Sequence, residues 1–349
     1  MTELGSNFGT SRLINRFDQE PYAFAFSGQG FDWLKTLRAA VAAGAGTNVQ
    51  GIVERAQELL APVADELAGT FPFGFDPVAW ATAVDTPNFD TAQAAVSVPG
   101  IFVSQIATLD SLESQRLDVE KAVAAIGHSQ GVLGVHLLGD LTRADEYVAL
   151  AQLIGAAITR TGRMTGLIAQ GENKPMISLA GIDREQLQQA IDTACAEVPE
   201  EIRPVIGLRN ARDTYVLVGR PDDNERVISV VNAMAARDQK AVEDKQRGGS
   251  AFSPRITALD VQSAFHHPAM SMAVEQTVTW AKACGLDGDI AREVAMDVLV
   301  NPVDWVASVN EALDAGARWI LDVGPDGGVV GLTRSILAGR GADSFAVCD

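Results

Sequence analysis

Short apolar runs alternate along this chain with segments whose apolar residues recur every three or four positions, the alternation that stacked α/β layers require. Tyr22-Ala-Phe-Ala-Phe-Ser27 is predicted as a strand that ends in Gly28-Gln29-Gly30, with helical spacing following to Ala43. Residues 48–67 carry helical spacing with an expected break at Pro62, and Gly69 to Asn88, with Pro72, Pro77 and Pro87, reads as an irregular connection. Helical spacing resumes from Thr91 to Leu112, where Pro99-Gly100 is expected to break or kink the element. A strand-like run at Ala122 to Ile126 then meets a turn flanked by Gly127 and Gly131, and a helix follows to Leu138. Thr142-Arg-Ala-Asp145 has the form of a capping box, and its helix is expected to reach Thr161 before Gly162.

The pattern changes after that helix. Met176 to Ala180 reads as strand, Arg184 to Glu197 as helix, Val205 to Arg209 and Thr214 to Gly219 as a hairpin, Asp223 to Arg237 as helix and Ile256 to Val261 as strand. This β-α-β-β-α-β order is the ferredoxin-like unit. Residues 239–250 read as a polar loop within it. The doubly wound pattern then returns, with Val298, Trp319 to Val323 and Ser344 to Val347 expected as strands. The expected organisation is a polar leader at 1–20, an α/β core with a parallel sheet at 21–168 and 258–349, and an inserted ferredoxin-like subdomain at 169–257.

A net charge of −18 on 349 residues argues against a nucleic-acid or anionic-membrane surface, so a phosphate-bearing ligand needs a local basic patch. Cys195, Cys284 and Cys348 are odd in number and widely spaced, which suggests neither a disulfide framework nor a zinc site and points to a reducing, cytoplasmic setting. No uninterrupted apolar run is read as long enough to span a membrane.

The chemistry centres on Ala122 to Asp140. Gly127-His-Ser-Gln-Gly131 between strand and helix is the setting of a nucleophile elbow, with Ser129 on the strained turn and the helix N-terminus favouring developing negative charge. A serine nucleophile needs a base, and the chain has four histidines. The side chain of His128 is expected to point away from Ser129, and His136 to be a packing or surface residue. The base is therefore sought in His266 or His267, within Ala264-Phe-His-His-Pro-Ala-Met270. Residues alone leave a transferase, a serine esterase or thioesterase, and a non-catalytic structural domain open.

Gly28-Gln29-Gly30, Gly127-His-Ser-Gln-Gly131, Phe265-His266-His267-Pro-Ala-Met270, Asn301-Pro-Val-Asp-Trp305 and the stretch from Asp322 to Arg334 resemble the acyl-CoA:acyl-carrier-protein transacylase family. The resemblance implies an α/β-hydrolase-like core with a ferredoxin-like insertion. The G-H-S-Q-G variant and Ala95-Val-Ser-Val-Pro-Gly100 are similar to the N-terminal acetyltransferase region of bacterial type I fatty acid synthases.

That resemblance implies that Ser129 is the acylated nucleophile and His266 its base, oriented by backbone carbonyls rather than a carboxylate. The backbone N–H groups of Gln29 and Gln130 would form the oxyanion hole. Asn210, His267, Ile154 and Val298 would border the substrate. Ile154 takes the place of an arginine that pairs with the free carboxylate in malonyl-selective members, and Val298 the place of a glutamine common in them. The implied activity is transfer of an acetyl group from acetyl-CoA to the phosphopantetheine thiol of an acyl carrier protein, beside other domains of a multifunctional fatty acid synthase. The nearest alternatives are a malonyl or long-chain transacylase. No metal or bound organic cofactor is implied.

Overall fold

The computed structural model describes residues 20–71, 74–84, 89–244 and 251–347. The expected leader, apart from Glu20, and Cys348 lie outside them. The described strands are β1 Tyr22–Phe26, β2 Ala124–Gly127, β3 Met176–Ala180, β4 Val205–Ala211, β5 Thr214–Val218, β6 Arg255–Ala258, β7 Val303–Asp304, β8 Trp319–Asp322 and β9 Asp343–Ala346. They form two sheets, ordered β2-β1-β8-β9 and β6-β3-β5-β4-β7.

The first sheet is parallel throughout. Its β1 is buried along its whole length because both faces are covered. Side chains alternate across a strand, so Tyr22, Phe24 and Phe26 enter one apolar layer while Ala23 and Ala25 enter the other, with Trp305, Val309 and Ile320. This is an α/β-hydrolase-like arrangement, and it sets the carboxyl ends of β1 and β2 side by side.

Pro99 does not divide its helix. Ala94–Ser114 is one element, and a Cβ on Gly100 would come within 2.5 Å of the Trp33 ring, so the Pro-Gly pair marks a close helix–ring contact rather than a break. Uninterrupted, this helix is long and apolar enough to cross a membrane by length and composition, contrary to expectation, yet 89% of its apolar window is buried inside the protein. It packs against Ala144–Thr165, which passes through the expected stop at Gly162 and ends where Gly166 takes a φ of 76°. The expected capping box is absent: Asp140 accepts hydrogen bonds from the Thr142 backbone N–H and hydroxyl.

In the second sheet β3 to β6 are antiparallel neighbours in the ferredoxin-like order, and helices Arg184–Ala194 and Pro221–Glu243 cover one face. Ile177, Leu179, Tyr215 and Leu217 fill that face against Leu187 and Val227. The helix continues to Glu243, so residues 239–243 of the expected polar loop are helical, and residues 245–250 lie outside the described residues. Val298 is helical, not a strand: it lies in the last turn of Gly288–Leu299, and the extended residues are β7, which adds parallel to β4 and ties the subdomain to the core.

Candidate active site

The turn after β2 places Ser129 at φ 59°, a backbone region that costs a non-glycine residue of order 1–3 kcal/mol. The flanking glycines make the turn sterically possible. A Cβ on Gly131 would lie 1.9 Å from the Phe26 carbonyl oxygen, and one on Gly127 2.5 Å from the Val132 nitrogen. Ser129 is 8% exposed, at the head of helix Val132–Gly139.

His266 reaches the same point from the segment after the inserted subdomain. Its Nε2 lies 2.8 Å from Ser129 Oγ, and its Nδ1 lies 2.7 Å from the Asn301 carbonyl oxygen. A carbonyl only accepts, so Nδ1 carries the proton and the Nε2 lone pair faces the serine hydroxyl. Burial lowers the His266 pKa to about 4, opposed by the bond to Asn301, and the ring is neutral at pH 7. Gly207 of β4 allows this approach, since a Cβ there would sit 3.1 Å from the His266 carbonyl oxygen.

Gln29 and Gln130 are clamped together beside the serine. Gln29 Nε2 donates to Gln130 Oε1 at 2.5 Å, Ser97 Oγ donates to Gln29 Oε1 at 2.8 Å, and Gln130 Nε2 donates to the Val98 carbonyl at 3.4 Å. Among the described residues no backbone carbonyl accepts from the Gln29 or Gln130 N–H. Two backbone donors left without a protein acceptor, on residues whose side chains bond each other beside the serine, can stabilise an oxyanion. A cavity of about 440 Å³ opens beside them, lined in part by Gln29, Trp33, Phe89 and Ser97.

The other expected residues divide. Asn210 is brought to the elbow, where its Oδ1 accepts from His128 Nε2 at 2.8 Å while the His128 ring stands edge-on to Trp305. His128 therefore does point away from Ser129. His267 is not brought to Ser129 by any hydrogen bond among the described residues: its Nε2 donates to the Arg203 carbonyl at 3.0 Å and its Nδ1 accepts from the Ala269 N–H at 3.1 Å. The bond to Arg203 ties the subdomain to the core, and the bond from Ala269 caps the short helical turn Pro268–Met270. Ile154 and Val298 are fully buried in the main apolar cluster, and Val298's helix packs against the Ser129–Gly131 turn. Asn301 and Ser97 were not singled out as site residues from sequence. A backbone carbonyl leaves no side-chain signature, and Ser97 was visible only within Ala95-Val-Ser-Val-Pro-Gly100.

Residues 175–258 match the family model of the fatty acid synthase central AT domain. No curated protein matches the sequence. The fold is that of solved acyl-carrier-protein transacylases, an α/β-hydrolase-like core with a ferredoxin-like subdomain. The acyl carrier protein S-malonyltransferase of Vibrio cholerae superposes with a TM-score of 0.65 at 18% identity, over 94% of this chain and 96% of its own. The malonyl CoA-acyl carrier protein transacylase of Coxiella burnetii gives 0.68 at 18% identity, over 94% of each chain. A malonyl-transacylase in complex with its type II PKS acyl-carrier protein gives 0.68 at 18% identity, over 95% of this chain and 96% of its own.

Proposed function

We propose that this chain moves an acetyl group from acetyl-CoA to the phosphopantetheine thiol of an acyl carrier protein, through an ester on Ser129. The observation that carries the reading is the contact of Ser129 Oγ with a neutral His266 whose other nitrogen is held by a carbonyl. In this mechanism His266 takes the hydroxyl proton as Ser129 attacks the thioester, and the Gln29 and Gln130 N–H groups hold the tetrahedral oxyanion. His266 returns the proton to the departing CoA thiolate. The carrier's thiol then attacks the acyl-serine with the same base and regenerates Ser129. The match of residues 175–258 to a fatty acid synthase AT domain supports a place beside other synthase domains, and the cytoplasmic setting rests on the three widely spaced cysteines alone.

Acetyl is favoured because Ile154 is buried among apolar side chains and offers no partner for a malonyl carboxylate, which would lose its water without replacement. Of the two subdomain arginines that could supply one, Arg209 is paired with Asp304 at 3.1 Å, while Arg212 lies in the hairpin turn beyond Ala211, on the wall of a separate cleft. The malonyl names of the structural neighbours support a second reading, malonyl transfer. Intact-mass measurement after mixing with acetyl-CoA or malonyl-CoA, then peptide mapping, separates them. The proposal expects an acetyl adduct on Ser129 that a carrier thiol discharges; a malonyl adduct alone transfers the assignment to the second reading, and rapid loss to water makes the protein a hydrolase.

A further inference from the structure

A cleft of about 810 Å³ separates the open face of the second sheet from helices Trp305–Asp314 and Val330–Leu337 of the core. Its walls carry Arg212, Arg255 and Arg340 against one carboxylate, Asp213, in a chain whose net charge is −18. Among the described residues none of these three guanidiniums pairs with a carboxylate; Arg340 donates to the Asn310 side-chain oxygen. The arginines just outside the cleft are spent differently, Arg209 on Asp304 and Arg334 on Asp343.

The floor between them is low. Strand pairing aligns Arg255 with Ala180, Ala180 with Thr214 and Thr214 with Ala211, so one row across four strands runs from a guanidinium over three small residues, Ala180, Thr214 and Ala211, to the turn that bears Arg212. At the usual strand spacing this row is about 14 Å long. Arg340 faces it from the core side. Both walls also lead back to the elbow: Ala211 follows Asn210, which bonds His128, and Val306 follows Trp305, which the His128 ring contacts.

We propose that this cleft holds the phosphates of coenzyme A, its diphosphate and 3′-phosphate, on Arg212, Arg255 and Arg340, while the pantetheine arm runs inward to Ser129. The inference rests on the acyl-CoA reading above. Guanidinium forks match phosphate oxygens in pairs, and three that lack a carboxylate partner need not break an ion pair to bind. The cleft is large enough for a nucleotide, within the usual range of ligand pockets.

The test uses the full chain, the Arg212→Ala/Arg255→Ala/Arg340→Ala variant and the single Arg255→Ala variant, whose side chain is exposed on an edge strand. Adenosine 3′,5′-bisphosphate binding is measured by calorimetry, and Ser129 acylation is timed with acetyl-CoA and with acetyl-pantetheine, which carries no phosphate. The parent should bind the bisphosphate, and the triple variant should bind it at least about tenfold more weakly. Its KM for acetyl-CoA should rise by at least about tenfold, with acylation by acetyl-pantetheine unchanged. Arg255→Ala should show the same selective pattern at smaller size, which decides the matter if the triple variant does not fold. Unaltered bisphosphate binding, or an equal loss with both donors, overturns the assignment. A parent that forms no adduct with either donor refutes acyl transfer instead, and the bisphosphate titration still decides the cleft.

Discussion

Ser129 and His266 both hold left-handed backbone conformations, with φ of 59° and 58°, and their side chains meet at 2.8 Å. Each stands where its chain segment must turn sharply to aim a side chain inward, and the surrounding core maintains two conformations that would be unfavourable in isolation. The reacting pair supplies two of the four non-glycine residues with positive φ among the described residues, the others being Arg116 and Asp326.

Replacing the hydroxyl tests that pair most directly. Ser129→Ala should give no covalent adduct with acetyl-CoA while thermal unfolding stays close to that of the parent, since Ser129 contributes little apolar burial. An adduct of normal mass on the variant would remove Ser129 from the mechanism.

The two adjacent histidines should separate by phenotype. His266→Ala should slow acylation by about two to four orders of magnitude, the range for loss of a general base. His267→Ala leaves the Arg203 carbonyl and Ala269 N–H without their partner, so it should cost about 1–3 kcal/mol of stability and much less of the rate. Stopped-flow acylation and urea unfolding on both variants give the ranking, and the reverse order makes His267 the base.

The pH profile follows from burial. His266 has a pKa of about 4, so the acylation rate constant should be flat from pH 8 to about pH 5 and fall only as the ring protonates near pH 4. An inflection near 6.5 would show a solvated base. For stability, His266 and His267 both titrate near 4 when folded and near 6.5 when unfolded, so the unfolded chain binds more protons between those values. Their contribution is present above about 6.5 and is lost as pH falls towards 4. Urea midpoints at pH 7.5, 6 and 5 should decline, and less steeply in His267→Gln.

Acyl selectivity should depend on Ile154. Leaving a malonyl carboxylate desolvated costs roughly 3–5 kcal/mol, which corresponds to an acetyl preference of about two to nearly four orders of magnitude. Ile154→Arg should narrow that ratio and lower the melting temperature, because the position is fully buried. Equal acylation rates in the parent would show that Ile154 does not face the acyl group, or that Arg209 or Arg212 reaches in from the subdomain, and either would end the acetyl assignment.

The elbow's geometry allows one structural control. Gly131→Ala should prevent correct folding or displace β1, because its Cβ would overlap the Phe26 carbonyl at 1.9 Å. Circular dichroism and the melting transition read this out; a variant with parental stability would mean that the turn can relax away from β1.

Local pattern determined much of this protein. The β-type runs at Tyr22 and Ala122, the Gly-x-Ser-x-Gly turn and the β-α-β-β-α-β order were legible because strand alternation, turn glycines and helical spacing are properties of neighbouring residues. Pro99 misled because a proline's effect on a helix depends on what packs around it, and here Trp33 lies against Gly100. Val298 misled because a short apolar run reads alike in a buried helix and a strand. The resemblance points to His266, and the tertiary structure supplies the physical reason: two identical side chains one residue apart leave the backbone in different directions, one to Ser129 and Asn301, the other to Arg203 and Ala269. Tertiary structure alone reveals the Asn301 carbonyl, the Ser97–Gln29–Gln130 chain and the arginine cleft. Each joins residues from distant parts of the chain, and sequence spacing carries no record of which distant groups folding brings within a hydrogen bond of one another.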